Sequence, residues 1–211
     1  MSRTFLCADH HFWHRKVCTV FDRTGKTKLR PWDEPQPMNE HIIERHNAVV
    51  RDSDCVVFVG DVAMHDPKYL SILSRLRGRK ELVMGNHDQF DCELYARHFS
   101  KIVSSLKLGG YLVTHIPVHP GNLENRWKGN IHGHLHDRQV LLEDGSIDPR
   151  YFCVSMERID YTPVTLEHID ATMRARAMHL ERMLEQRLAA SNRQAPTPNP
   201  SNSSTETLST C

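Results

Sequence analysis

Five fragments of this chain place carboxylate, amide or imidazole groups directly behind short apolar runs. Asp9-His10-His11 follows a run over residues 4–8, and Gly60-Asp61 follows the CVVFV run over 55–59. Gly85-Asn86-His87-Asp88 follows ELVM, His115 follows YLVT, and Gly133-His134-Leu135-His136 follows a brief NIH run. In an extended segment, residues two apart project to the same side, so Asp9 and His11 can reach one ion, as can His134 and His136. Each fragment alone is weak, because an isolated Asp-x-His is usually a loop and a Gly-Asp usually a turn. Five in a row, all at strand ends, make a joint signal. The donor set is Asp9, His11, Asp61, Asn86, His115, His134 and His136: oxygen and nitrogen ligands without thiolate, which suit Mn²⁺, Fe or Zn²⁺. Seven ligands are too many for one ion and fit two that share a carboxylate. Two ions roughly 3.5–4 Å apart can clamp the attacking and leaving oxygens of an in-line phosphoryl displacement. They also lower the pKa of a bridging water, making hydroxide available at neutral pH.

The elements that must position these groups read as an α/β pattern with hairpin character in the second half. Strands are expected at Thr4–Ala8, Cys55–Val59 and Glu81–Met84, then a pair at 102–106 and 111–114 around Gly109-Gly110. Further short strands are expected at 130–131, 139–142 and 152–155. A helix with Asn39 as N-cap should run to Val50, burying Ile42, Ile43, His46, Val49 and Val50. A second should open at Asp66-Pro67 with Tyr69, Leu70, Leu73 and Leu76 inward. A third should run from Thr165 to Ala190, its Met173, Ala177, Leu180 and Leu184 spaced like one heptad seam. Packing on its own domain is the simpler use of that seam, and a homo-oligomer contact the alternative. Residues 191–211 are Ser, Thr, Asn and Pro with almost nothing apolar, a composition that cannot bury a core and should be disordered. The chain thus divides into a domain over 1–170, a C-terminal helix over 171–190 and a tail. In open α/β sheets ligands lie beyond the carboxyl ends of strands, which is where the five fragments fall.

The 211 residues suffice for one domain with a real core. At 39% hydrophobic and 25% charged, with a net charge of +1, the composition is that of a soluble globular protein, and bulk charge points to no nucleic-acid or membrane partner. The N-terminal MSRTFLCADHH lacks the apolar region of a secretory signal, and no stretch is apolar enough to span a bilayer. The six cysteines form no C-x-x-C pair, so a reduced, cytoplasmic protein is expected.

The five fragments resemble the signature motifs of the calcineurin-like metallophosphoesterases: Asp-x-His, Gly-Asp, Gly-Asn-His-Asp/Glu, a lone His after a strand, and Gly-His-x-His. The likeness is nearest to the small uncapped members of bacteria and their phages, whose first motif reads Asp-x-His-Phe-x-His and is similar to Asp9–His14 here. In this chain His10 replaces a small residue and Trp13 a Gly. Met38-Asn39-Glu40, Arg45-His46-Asn47, Thr114–Pro117 and Tyr161–Val164 extend the resemblance over about residues 3–169. It implies a four-layer sandwich of two mixed β-sheets flanked by helices. It implies two divalent ions, Mn²⁺ first, with Fe, Zn²⁺ or Ni²⁺ also compatible. One ion would be held by Asp9, His11, Asp61 and His136, the other by Asp61, Asn86, His115 and His134. His87 would stand at the leaving group as general acid or charge stabiliser, oriented by Asp88. A bacterial or phage-infected host cytosol is the implied setting.

The expected activity is hydrolysis of phosphodiesters in nucleotides or nucleic acid by in-line attack of the bridging hydroxide. Its nearest rival is a phosphomonoesterase acting on small phosphates or phosphoproteins. A non-catalytic binding scaffold is disfavoured because every ligand position and His87 are intact, and a structural zinc module would call for thiolates. The loop with Arg15, Lys16, Arg23, Lys26, Lys28 and Arg30, interleaved with Trp13, Phe21 and Trp32, either tracks a phosphate backbone, forms a wall for one nucleotide or bridged diester, or is simply solvated. Arg75, Arg77, Arg79 and Lys80 sit near a helix end, where cations suit the dipole. His14, His65 and His119 are near the ligands in sequence and are candidates for phosphate contact or for protonating the leaving group. His10 is expected to point away from the site, and His132, on the strand leading to the Gly-His-x-His turn, to be structural.

Overall fold

Short β-branched and aromatic runs pair first. β1 (Thr4–Cys7), β2 (Cys55–Phe58), β3 (Arg79–Val83) and β4 (Lys101–Val103) lie parallel in the order β4-β3-β2-β1. The register aligns Leu6 with Val57 and Val57 with Glu81. β2 is buried at every position, as a central parallel strand must be. A second sheet holds β5 (Leu106–Leu108), β6 (Tyr111–Thr114), β7 (Asn130–His132) and β8 (Tyr151–Cys153). β5 and β6 are the hairpin across Gly109-Gly110, and β6, β7 and β8 run parallel. β9 (Val164–Thr165) closes the first sheet antiparallel to β1. Both sheets share one apolar core, from Leu6, Val57 and Leu82 to Val113, Ile131 and Val154. This computed structural model describes residues 2–21 and 24–194, with side chains through 189. The fold is the expected mixed α/β architecture of two mixed sheets with helices. The tail from 195 on lies outside the described residues.

Several elements differ from expectation for local reasons. The expected strand at 102–106 is two strands: β4 pairs with β3, and β5 crosses to the other sheet. α1 (Pro35–Val49) starts a turn before Asn39, with Glu34 as N-cap and proline in its first turn, where no N–H is needed. Asn39 is therefore inside the helix and fully buried. The segment after Asp66 is a 3₁₀ helix, Pro67–Arg75, capped by the Asp66 carboxylate accepting from Lys68 N–H at 2.9 Å. Leu70, Leu73 and Leu76 recur every three residues, the spacing at which side chains of a 3₁₀ helix align. Residues 139–142 form no strand, only an isolated bridge between Leu141 and Ile147. After the short α2 (Cys92–Ala96), the last helix α3 runs Leu166–Gln194, longer than the apolar seam alone suggests. It packs into the core through Ile169 and Met173, whereas residues 181–189 are exposed, Leu184 and Leu188 among them. Cys7, Cys18, Cys55 and Cys153 are buried thiols, and Cys92 is an exposed one. Among the described residues no helix is long and apolar enough to cross a membrane.

Candidate metal centre

Each strand end turns sharply as it delivers its polar group. Asp9 (φ 58°), His11 (49°), Asp61 (56°), His134 (67°) and His136 (54°) all hold left-handed backbone, a conformation that opposes ordinary side chains and concentrates at functional sites. Three glycines let these turns touch. A Cβ on Gly60 would lie 2.4 Å from the His115 ring, on Gly85 2.2 Å from Asp61 Oδ1, and on Gly133 2.7 Å from Asp9 Oδ2. Only a residue without a side chain fits at each.

The result is a buried cluster. Asp9, His11 and His136 bring ligand atoms together in one group, and Asp9, Asp61 and His115 in another. Asp61 Oδ2 faces His115 Nε2 at 3.3 Å and His11 Nε2 at 3.7 Å. Asp9 Oδ1 faces the same nitrogens at 4.0 and 3.9 Å, so both carboxylates span the imidazoles, where the sequence suggested only Asp61. The rings form two pairs, His11 stacked on His136 at 5.2 Å and His115 against His134 at 5.3 Å. Asp9 Oδ1 and His115 Nε2 are buried without a hydrogen-bond partner, while the remaining atoms are spoken for. Asp9 Oδ2 accepts from Ser155 Oγ (2.6 Å) and His134 N–H (2.8 Å), and His115 Nδ1 meets the Val59 carbonyl at 2.8 Å. Buried polar atoms are rarely left orphaned. Orphans that converge from carboxylate and imidazole fit a divalent cation, and these groupings can hold one. Asn86 is exposed on the adjoining turn.

Without a cation the charges are mutually strained. Burial raises Asp9 to about 6, partly opposed by His136 and His115. Burial would lower His115, but Asp61 and Asp9 outweigh it and lift the imidazole to about 9. His11 is pushed well below its ordinary value by burial and then by Arg30.

Asp88 has a different task from the one expected. It is buried, and its carboxylate accepts from the backbone N–H of Asp61 (2.8 Å), Val62 (3.0 Å) and Gly85 (2.8 Å), not from the His87 ring. It locks two ligand turns together. His87 is exposed, its N–H donating to Asp61 Oδ1 at 2.9 Å and its ring 5.7 Å from that of His11. His14 and His65 stand on the same side, 5.0 Å apart, with His14 5.5 Å from His11. His119 does not join them, because its Nδ1 caps Gly121. His10 stacks on Phe58 at 4.7 Å within the core, and His132 is buried against the Gly133 carbonyl, as expected.

The support behind His136 comes from residues that no motif marks. Arg30 is fully buried and donates to the Asp9 and His10 carbonyls and to Glu157 Oε1 at 2.7 Å. Glu157 Oε1 also meets His136 Nδ1 at 3.0 Å, which orients the imidazole as carboxylate partners of metal-ligating histidines do. Burial would raise Glu157, but Arg30 and His136 hold it down at about 2. Arg30→Ala should therefore destabilise the chain by roughly 3–5 kcal/mol, because it strands a buried carboxylate. Chemical denaturation measures this, and a change below about 1 kcal/mol would show that the pair is not a structural unit.

No known family profile matches the chain. It is 30% identical over 177 residues to the uncharacterized protein MJ1445 of Methanocaldococcus jannaschii, covering 80% of this chain and 90% of that protein. The chain belongs to the MJ1445 family. The fold of this MJ1445-family member is similar to that of a solved protein of unknown function, AQ665 from Aquifex aeolicus. The two share a TM-score of 0.58 and 25% identity, over 81% of this chain and 99% of that one. A conserved uncharacterized protein of Streptococcus pneumoniae, described as a predicted phosphoesterase, aligns with a TM-score of only 0.30 at 14% identity, over 73% and 71% of the two chains.

Proposed function

We propose that this protein is a two-metal phosphoesterase, with phosphodiesters of nucleotides as its preferred substrates. The observation that carries the reading is the pair of buried carboxylates set between two imidazole pairs, with Asp9 Oδ1 and His115 Nε2 left unpartnered. His11 and His136 with Asp9 would hold one ion, and His115 and His134 with Asn86 the other, Asp61 serving both. Two divalent ions there would clamp the ester oxygens and acidify a water. The protein supplies the rest. Asp88 fixes the Asp61 turn, Glu157 fixes His136, and His87 presents an exposed imidazole beside the cluster to protonate the leaving group. The neighbouring His14 and His65 add N–H donors for phosphate oxygens.

Mn²⁺-dependent hydrolysis of bis-p-nitrophenyl phosphate beside p-nitrophenyl phosphate tests this directly. Faster diester cleavage is expected. A monoester preference would move the assignment to a phosphatase, and no metal-dependent cleavage of either would favour a binding scaffold. His87→Ala should keep its metals, because the N–H bond to Asp61 is a backbone bond. It should lose about 10²–10⁴-fold in turnover on esters with poor leaving groups, the usual contribution of a general acid. Loss of bound metal in that variant would contradict the role.

A further inference from the structure

Beside His136 lies a small pocket of about 210 Å³ that the metal centre does not account for. One wall is Val20, Phe21 and Leu29; the other is the turn carrying Leu135, Asp137 and Arg138. Phe21 is 50% exposed, yet it is held in place. It bridges to Lys28 across the loop, and Leu29 N–H donates to the Val20 carbonyl at 2.8 Å. The opposite turn is fixed by Arg138 N–H on the Leu135 carbonyl at 2.9 Å. Among the described residues neither Asp137 nor Arg138 closes an ion pair, so a carboxylate and a guanidinium remain available at the rim. His136 is shared: it lines the pocket and completes the group with Asp9 and His11.

Three of the loop's cations and two of its aromatics are committed within the fold. Arg15 pairs with Glu34, Lys28 with Asp33, and Arg30 is buried on Glu157. Trp13 stacks on Tyr69, and Trp32 packs against His41 and Tyr161. Of the loop's three aromatics, Phe21 alone offers a face to solvent, and it does so one side chain from the metal ligands. Apolar walls suit a flat ring, and a carboxylate with a guanidinium at the rim suits ring-edge donors and acceptors. A sugar would call for a polar lining, and an acyl chain would use neither charged group.

We propose that this pocket receives the base of a single nucleoside phosphate whose phosphate lies over the Asp9–His11–His136 group. The assignment rests on the phosphoesterase reading and names its substrate class. Stacking of a base on an aromatic side chain contributes about tenfold or more in affinity.

The test is calorimetric titration of the Mn²⁺-loaded full chain with adenosine 5′-monophosphate and with ribose 5-phosphate, which lacks the base. The nucleotide should bind about tenfold more tightly. Phe21→Ala should erase that difference and leave ribose 5-phosphate binding unchanged, and Phe21→Trp should restore it. Equal affinities in the wild-type chain, or a preference that survives Phe21→Ala, would overturn the pocket assignment alone, provided the p-nitrophenyl esters are still cleaved. A chain that neither binds ribose 5-phosphate nor cleaves those esters would overturn the parent reading and the pocket with it.

Discussion

An Asp61→Ala chain is expected to lose nearly all phosphoesterase activity, and its metal-free form to melt below the wild-type temperature. Asp61 is 2% exposed and Asp9 0% exposed, and both face His11 and His115. Two carboxylates on the same imidazoles oppose one another when no cation is bound. The imidazoles outweigh that opposition: against burial, His115 and His87 hold Asp61 below its ordinary value, and Asp61 in turn helps lift His115 to about 9, so deleting Asp61 costs the metal-free fold this pairing as well as the bond from His87 N–H. The same deletion removes the oxygen that faces both histidine pairs. Losing a partner behind a metal ligand already costs about 10–100-fold, so losing the shared ligand should cost more. Metal also stabilises only the state that binds it, by about 2.7 kcal/mol at a hundredfold excess over Kd. Melting curves with and without Mn²⁺ should thus separate for the wild-type chain and coincide for Asp61→Ala. Near-normal turnover, or an undiminished Mn²⁺-induced rise in Tm, would refute a centre organised around Asp61.

The polar groups that gather in the cluster were legible in the sequence because each is tied by a few bonds to the strand that delivers it. Asp9, Asp61 and His115 each follow an apolar run directly, so strand prediction and ligand prediction are nearly one act. Support from afar has no such signature. Glu157 lies 127 residues from Arg30, and Ser155 lies 146 from Asp9, and nothing local marks a Glu in a 3₁₀ turn as the partner of a histidine. Asp88 misled for a related reason. Its neighbour in sequence is His87, but folding of β2 and β3 side by side brings the Asp61 and Val62 N–H groups to its carboxylate instead. Arg30 read as one more cation in a basic loop, because composition cannot tell a buried guanidinium from a solvated one. Strand membership failed in the same way at 102–106, where periodicity marks extended chain but not which sheet it joins.

Acidification is expected to unfold this chain well before its carboxylates are all protonated. His46 is buried with Nε2 on the Arg77 carbonyl at 3.0 Å, and burial lowers it from 6.5 to about 4. Burial likewise lowers His132 to about 4 and holds His10 well below its ordinary value. For His46 and His132 the unfolded chain takes up a proton near pH 6.5 while the folded chain stays neutral until about pH 4, and His10 acts in the same direction. The unfolded state binds more protons across that window, so stability is present above it and is lost as pH falls. A histidine shifted this far costs on the order of 3 kcal/mol once the pH is below both values. The two together amount to much of the stability of an ordinary domain. Asp9 and Asp88 work the other way, since burial raises both and lets the metal-free fold gain a proton first as pH falls, Asp9 through about 6, but His11 and His14, lowered by burial, add to the imidazole side. Denaturation of the metal-free chain at a series of pH values should show the steep loss between 6.5 and 4, and His46→Gln should flatten it while lowering stability at neutral pH. A stability curve level across that interval would mean that these imidazoles are charged or solvated in the fold, contrary to their burial.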